Sequence, residues 1–193
     1  IGKTRLALQA AAEELNARKF TDGVFFVPLA PLGSVDFIVP AIANAITFTF
    51  YGGTDSKEQL LSYLREKNIL LVMDNFEHLV DGSGLLSEFL ERAPGPKFLV
   101  TSRERLNLRG EWLLAVEGLR VPEEDVLDLS EYSALVLFIH SARRVQAGFE
   151  LSNDDDTFHA IHICRLVEGL PLAIELASAW VRAISLREIA KEI

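Results

Sequence analysis

Residues 69–74 have the sequence Ile-Leu-Leu-Val-Met-Asp, and this stretch decides the fold. Five consecutive apolar residues ending at an acid are typical of a strand that is buried on both faces of a parallel sheet. Asp74 would then lie at the carboxyl edge of the sheet, where α/β proteins bind their ligands. A strand that merely ends at a polar turn has the same pattern, so the interpretation depends on the surrounding sequence.

The surrounding sequence alternates strand and helix patterns. Residues 24–29 and 98–101 are β-branched and aromatic runs that predict two more strands, and residues 112–116 are a further candidate. Helical spacing of apolar residues predicts a helix from Thr4 and others between the strands. Capping-box patterns mark helix starts at Ser56 with Gln59 and at Ser185 with Glu188. This alternation predicts a parallel α/β sheet.

The character of the chain changes near residue 122. Beyond that point only helical patterns occur, so we predict an α/β domain at residues 1–122 and an all-helical lid subdomain at residues 123–193. Cys164 lies in an apolar helical stretch, and we expect it in the core. We expect Trp112 and Trp180 in the core as well.

Composition excludes several classes of function. The 193 residues carry 19 Lys and Arg against 28 Asp and Glu, a net charge of −9, which argues against a broad nucleic-acid-binding face. A compact anion site needs only one or two cations and stays possible. A single cysteine excludes an internal disulfide and fits a reducing cytoplasm. No apolar run reaches the roughly 18 residues of a membrane span.

Gly2-Lys3-Thr4 at a helix start is the end of the phosphate-loop pattern G-x-x-x-x-G-K-[ST]. Backbone N–H groups at the start of a helix bind phosphate oxygens. Lys3 would bridge the β- and γ-phosphates of ATP, and the Thr4 hydroxyl would hold Mg²⁺. The tripeptide alone also fits an ordinary helix start. The ordered pair of Gly-Lys-Thr and the strand ending at Asp74 makes a nucleotide site the better interpretation, with Asp74 on the Mg²⁺ water shell.

Two further segments carry candidate ligands. Arg103 follows the strand at residues 98–101, and its side chain could reach a γ-phosphate at the same sheet edge. From spacing alone, a solvated surface arginine is an equally good interpretation. Pro171 lies between two helices and could press its ring on an adenine, although the corner by itself is a plain helix–turn–helix.

Four segments occur together: Gly-Lys-Thr-Arg-Leu-Ala-Leu at residues 2–8, Leu-Leu-Val-Met-Asp-Asn-Phe-Glu-His-Leu at 70–79, Leu-Val-Thr-Ser-Arg-Glu at 99–104 and Glu-Gly-Leu-Pro-Leu-Ala-Ile-Glu-Leu-Ala at 168–177. This combination resembles the STAND class of signalling P-loop NTPases. Within that class it looks most like the NB-ARC or AP-ATPase-type modules of large bacterial LuxR- or SARP-like transcriptional regulators. The resemblance covers essentially the whole chain.

The resemblance implies an ATP- and ADP-binding switch with Mg²⁺ as cofactor, at rest with ADP and self-associating with ATP. It implies a P-loop sheet followed by a helical lid. Its nucleotide ligands would be residues Gly2, Lys3, Thr4, Arg5, Asp74, Arg103 and Pro171, with Thr4 and Asp74 on Mg²⁺, Arg103 as γ-phosphate sensor and Pro171 at the adenine. DNA would be contacted only through a domain outside this chain, and no membrane partner is implied.

Two departures from the family pattern change the expectation. Asn75 follows Asp74 where many P-loop proteins carry a second acid, and an amide cannot take a proton from water. Glu77 could serve as general base only if the chain turns it inward, so we expect slow hydrolysis. The chain also opens on Ile1 without the strand that precedes a phosphate loop. We therefore interpret it as an N-terminally truncated fragment that is poorly stable and binds nucleotide weakly by itself.

Other classes of function stay open at this stage. A non-hydrolysing nucleotide-binding module is the main alternative to a slow ATPase, and Asn75 favours it. A P-loop kinase would need an acceptor site or an extra catalytic acid, which the sequence does not indicate. A helical scaffold that has lost nucleotide binding is disfavoured by the intact Lys3, Thr4, Asp74 and Arg103.

Overall fold

The computed structural model describes residues 2–122 and 131–193. The chain divides into two compact units, Lys3–Leu114 and Ala115–Ile193, and Gly2 is grouped with the second unit. The division into units is based on contacts within the chain. The boundary predicted near residue 122 separates functional domains, and it stays a prediction.

The first unit is a mixed α/β structure. Its helices are α1 (Lys3–Asn16), α2 (Ile38–Ala45), α3 (Ser56–Leu64) and α4 (Ser83–Arg92), with short 3₁₀ helices at Val35–Phe37 and Phe76–Gly82. Its strands are β1 (Gly23–Pro28), β2 (Ile69–Asp74) and β3 (Lys97–Val100). The three strands predicted at residues 24–29, 69–74 and 98–101 are therefore confirmed within one residue at each end.

The three strands form a small open parallel sheet in the order β1-β2-β3. Phe25 pairs with Leu71, and Leu71 pairs with Phe98 across the sheet. Helices connect the strands, as parallel strands require. All three strands therefore end at one edge, which is the edge where Asp74 lies.

Strand β2 is buried on both faces, as its apolar run predicts. Leu71 and Met73 belong to the larger core beneath one face, together with residues of α2, α3 and α4. Leu70 and Val72 point to the other face, where they pack with the small residues Ala7 and Ala11 of α1. Burial of each of these side chains of β2 contributes roughly 1.5–3 kcal/mol, so the position of β2 is firmly set.

Residues 112–116 do not form a strand, which corrects the prediction made from their apolar pattern. No sheet partner lies beside them in the described part of the first unit, and a single extended segment without a ladder leaves its backbone groups to water. Trp112 is 97% exposed, so the expectation that it belongs to the core is wrong.

The described residues of the second unit form helices and the loops that connect them, with no strand. It contains α5 (Ser133–Val145), α6 (Asp154–Leu166), α7 (Pro171–Ala179), a 3₁₀ turn at Trp180–Arg182 and α8 (Leu186–Glu192). Cys164 is fully buried in its core, as predicted, and burial raises the pKa of the thiol to about 12. Trp180 follows the last residue of α7 and is 46% exposed, so its assignment to the core is wrong.

The two capping-box predictions have different outcomes. Ser185 and Glu188 form the complete box at the start of α8. At α3 the cap is instead Asp55, whose carboxylate accepts hydrogen bonds from the N–H groups of Lys57 and Glu58. Gln59 there bonds to the preceding loop rather than to a cap.

The corner before α7 depends on a glycine. Gly169 has φ of +65°, and its carbonyl accepts a hydrogen bond of 2.8 Å from the N–H of Leu119. A Cβ at Gly169 would overlap the carbonyl oxygen of Leu119. The close approach of two backbone segments therefore requires glycine at this position.

Candidate functional site

The candidate site lies in the first unit, where α1 begins and the strands end. Lys3 and Thr4 occupy the first turn of α1, whose backbone N–H groups have no helical acceptor. This turn holds Lys3 and Arg5 and no acidic residue. Cations at a helix N-terminus oppose the helix dipole at a cost of roughly 0.3–1 kcal/mol. An anion such as phosphate would offset this cost, because it is attracted both to the cations and to the free N–H groups. The start of α1 is therefore suited to binding an anion. Gly2, just before the helix, has φ of +89°, a conformation that glycine adopts readily.

Asp74 is the centre of the site. It is the last residue of β2, and its Oδ1 accepts a hydrogen bond of 2.8 Å from the Thr4 hydroxyl. The two residues are 70 positions apart in the chain. The structure therefore brings together the predicted phosphate-loop threonine and the predicted acid of the neighbouring strand.

Thr101 also binds Asp74, a contact that the sequence alone did not predict. Its hydroxyl donates a hydrogen bond of 2.6 Å to the same Oδ1. It is the first residue after β3, where the register of Met73 with Val100 sets it beside Asp74. Its side chain is nearly buried, and a hydrogen bond to a charged group in such a place contributes about 1.5–3 kcal/mol. The available sequence signal for this contact was a hydroxyl residue directly after the strand that follows the one ending at Asp74.

Asn75 turns the chain sharply after Asp74. Its backbone is left-handed, with φ of +67°, a region that Asn tolerates better than most residues. Its N–H donates a hydrogen bond of 3.0 Å to the Thr101 hydroxyl oxygen. Thr101 thus donates to Asp74 and accepts from Asn75, so one hydroxyl fixes both the acid and the turn that follows it.

The Asn75 side chain lies beside His78. The amide Nδ2 is 3.4 Å from His78 Nδ1, and His78 Nε2 is 3.1 Å from the carbonyl oxygen of Leu32. A carbonyl can only accept, so Nε2 carries the hydrogen and Nδ1 accepts from the Asn75 amide. The amide nitrogen of Asn75 is therefore engaged, and the Asn75 side chain supplies no base.

Glu77 and Arg103 form an ion pair. Arg103 Nε lies 3.2 Å from Glu77 Oε1, and the two side chains are 80% and 19% exposed, respectively. The turn at Asn75 directs Glu77 towards the loop that follows β3. The two residues for which the sequence suggested separate roles, a tentative general base and a γ-phosphate sensor, therefore contact each other.

The oxygen atoms at this edge fit a magnesium ion. The donors are one hydroxyl and one carboxylate, which suit Mg²⁺ better than softer metals. In residues 2–122 and 131–193, no three His, Cys, Asp or Glu side chains gather to hold a metal. Mg²⁺ commonly uses one or two protein oxygens and completes its shell with water and phosphate, so Thr4 and Asp74 would be a sufficient protein contribution.

Pro171 belongs to the second unit. It is the first residue of α7, a position that suits proline because the missing N–H has no helical acceptor. Its predicted contact with an adenine stays a prediction.

Within the described residues, no helix is both long enough and apolar enough to cross a membrane.

Comparison with known proteins finds relatives along nearly the whole chain. A protein of Mycobacterium tuberculosis H37Rv named "Putative HTH-type transcriptional regulator" is 37% identical over 193 residues, and a protein of Mycobacterium bovis with the same description is equally similar. These alignments cover 98% of this chain and 20% of each relative. An "Uncharacterized protein" of M. tuberculosis H37Rv is 33% identical over 190 residues, covering 98% of this chain and 45% of the relative.

These relatives are longer than the chain described. The chain spans about a fifth of the length of the relatives named as regulators. It therefore corresponds to one segment of each. No protein-family model matches the chain.

Proposed function

We propose that this chain is the nucleotide-binding switch module of a signalling or transcriptional regulator, of the STAND class and NB-ARC type. It binds ATP or ADP with Mg²⁺. The observation that carries the proposal is the 2.8 Å hydrogen bond from Thr4 to Asp74. It connects the residue proposed to follow the phosphate loop with the acid proposed to orient Mg²⁺, although the two are 70 positions apart in the chain.

Each site residue has a distinct part in this proposal. The N–H groups at the start of α1 and the Lys3 ammonium bind the β- and γ-phosphates. The Thr4 hydroxyl keeps its proton on Asp74 and offers its lone pairs to the ion, while Asp74 orients the water shell. Arg103 contacts a γ-phosphate, and Pro171 lies against the adenine. Bound Mg²⁺ would neutralise phosphate charge during phosphoryl transfer.

A regulatory role is supported by the relatives named as HTH-type transcriptional regulators, which align along 98% of this chain. The net charge of −9 makes direct DNA binding by this module unfavourable, so DNA would be contacted by another domain. Self-association in the ATP-bound state and a location in the cytoplasm belong to the same proposal. A switch of this kind needs only different affinities of its two states for ATP and ADP.

Slow hydrolysis is part of the proposal, and the non-hydrolysing module is its alternative. Asn75 favours the alternative because its amide nitrogen faces His78 and its side chain cannot accept a proton from water. Single-turnover hydrolysis of ATP separates the two. A rate above that of ATP in buffer, lost in Asp74→Asn, supports the ATPase, and a rate equal to buffer supports the binding module.

The first test is calorimetric titration of ATP and of ADP, each with Mg²⁺, into the protein. Lys3→Ala should abolish tight binding because it removes the cation that faces the phosphates. Lys19→Ala is the matched control, since Lys19 follows the opposite end of α1 and pairs with Glu14. Equal binding by the parent and Lys3→Ala, or no binding in a folded protein, contradicts the proposal.

A further inference from the structure

The ion pair between Glu77 and Arg103 joins a largely buried side chain to an exposed one. Glu77 lies in the 3₁₀ helix Phe76–Gly82, between the fully buried Phe76 and the nearly buried Leu79. Arg103 lies in the loop after β3, and four-fifths of its side chain is exposed. Arg103 can therefore leave the pair by rotating its own long, exposed side chain, whereas the Glu77 side chain is only 19% exposed and has less room to turn away.

The pair uses Arg103 Nε, on one side of the guanidinium group. A guanidinium binds carboxylate and phosphate in the same geometry, through parallel N–H groups. Glu77 holds only the Nε side of this group, and a γ-phosphate that binds through the pair of N–H groups including Nε displaces Glu77. In that arrangement the two anions compete for the Nε donor.

We propose that Glu77 is a specificity-determining residue that competes with a γ-phosphate for Arg103 and so reduces the preference of the site for ATP over ADP. The inference rests on the proposed function and adds a residue that adjusts the relative affinity of the site for ATP and ADP. With ADP, Arg103 stays with Glu77. With ATP, the pair opens. The free energy of the ion pair is then lost, which reduces the favourable free energy of binding the γ-phosphate by the same amount.

The size of the effect follows from the exposure of the pair. A solvent-exposed ion pair contributes a factor of about two to five to an equilibrium. Glu77 therefore tunes the choice between nucleotides and does not decide it alone. This small factor also separates the proposed role from that of a general base, whose loss typically slows catalysis by roughly 10²–10⁴-fold.

The test compares Glu77→Gln with the parent protein by calorimetric titration of ADP and of the non-hydrolysable β,γ-imido analogue of ATP, each with Mg²⁺. Glu77→Gln should bind the ATP analogue about two- to fivefold more tightly. Its affinity for ADP should stay that of the parent. In an Arg103→Gln background, the Glu77 substitution should change neither affinity, because the competing partner is gone.

Glu104→Gln is the matched control, since it removes the same charge beside Arg103 from an exposed side chain. Its ratio of ATP-analogue to ADP affinity should equal that of the parent. Circular dichroism establishes that each variant is folded.

Each contrary outcome has a separate meaning. An equal gain in affinity for both nucleotides is a general charge effect and overturns the inference, as does an unchanged ratio. A loss of hydrolysis by a factor of about a hundred in Glu77→Gln assigns it as a base and overturns the inference too. Failure of the folded parent to bind either nucleotide overturns the proposed function as well.

Discussion

The hydroxyl groups of Thr4 and Thr101 both donate to the same oxygen of Asp74, at 2.8 and 2.6 Å. One threonine comes from the first turn of α1 and the other from the end of β3. A single carboxylate oxygen therefore joins three elements of the first unit at the edge of the sheet.

Thr101→Val should weaken Mg²⁺-dependent nucleotide binding and destabilise the first unit. The change keeps the shape of the side chain but removes the donor to Asp74 and the acceptor of the Asn75 N–H. Leaving a nearly buried N–H unsatisfied costs about 1–3 kcal/mol. The checks are urea unfolding and the ratio of nucleotide affinities with and without Mg²⁺.

Two variants test whether Thr101 positions the acid. Thr101→Ser keeps the hydroxyl and should restore both the stability and the Mg²⁺ ratio. Thr21→Val is the matched control, because the Thr21 hydroxyl lies 3.5 Å from an Asp22 carboxylate oxygen in an exposed turn. A Thr101→Val protein with the Mg²⁺ ratio of the parent would show that the hydroxyl has only a structural role.

Asp74→Asn should separate folding from metal binding. The amide oxygen can still accept the hydrogen bonds from Thr4 and Thr101, so the variant should fold, with a loss of about 1–3 kcal/mol because bonds to a neutral acceptor are weaker. Loss of the negative charge should reduce the contribution of Mg²⁺ to ATP affinity roughly tenfold or more. Titration of Mg²⁺ at fixed ATP measures this, and a variant with undiminished response to Mg²⁺ argues against Asp74 as the magnesium acid.

Gly169→Ala should destabilise the second unit more than an equivalent change elsewhere. The new methyl group would meet the Leu119 carbonyl, and it would also strain a backbone with φ of +65°. Gly148→Ala is the control, since Gly148 has φ of +82° but open space around it. We expect a loss of about 1 kcal/mol for the control from backbone strain alone and clearly more for Gly169→Ala. Equal losses in urea unfolding would mean that the contact with Leu119 gives way at little cost.

An ion-pair network between α3 and α4 should make stability depend on pH in the acid range. Arg92 binds Glu58 and Glu88, at 2.6 and 2.7 Å. The hydrogen bond from Arg92 lowers the pKa of Glu58, and Lys57 followed by Arg92 lowers the pKa of Glu88. Because the folded-state pKa values lie below the ordinary 4.5, the contribution is complete above pH 4.5 and is lost as the pH falls through the lower values.

Arg92→Ala should therefore lower the Tm at pH 7, and the difference from the parent should shrink as the pH is lowered towards about 3. Arg109→Ala, an exposed loop arginine in the same unit, should leave the pH dependence of Tm unchanged. If the difference in Tm between Arg92→Ala and the parent is the same at both pH values, titration of Glu58 and Glu88 is excluded as its source.

The parts of the fold that follow from short-range patterns were predictable, and those that need a partner were not. Strand β2 was recognisable because its apolar run requires burial on both faces. Residues 112–116 carry a similar pattern, but a strand also needs a neighbouring ladder, which the local pattern does not contain. At α3 the sequence offered Ser56 as a cap, whereas Asp55, one position earlier, is the residue with the backbone geometry to accept the first N–H groups.

In the candidate site, too, some contacts follow from local sequence patterns and others depend on the fold. The contact between Thr4 and Asp74 was predictable because the Gly-Lys-Thr pattern at a helix start and an acid at a strand end are both local signals. The part of Thr101 depends on the register of Met73 with Val100, which no local pattern specifies. The contact of Glu77 with Arg103 depends on the left-handed turn at Asn75, which redirects the chain just before Glu77.

Burial of β2 on both faces has a consequence for hydrogen exchange. The amides of Leu71 and Val72 lie in the middle of the sheet beneath two layers of side chains, so their exchange should require unfolding of the entire first unit. The loop that carries Arg103 is exposed and should exchange through small local openings. Asp74 therefore keeps its place for as long as the first unit stays folded, whereas Arg103 can sample several positions many times within that lifetime.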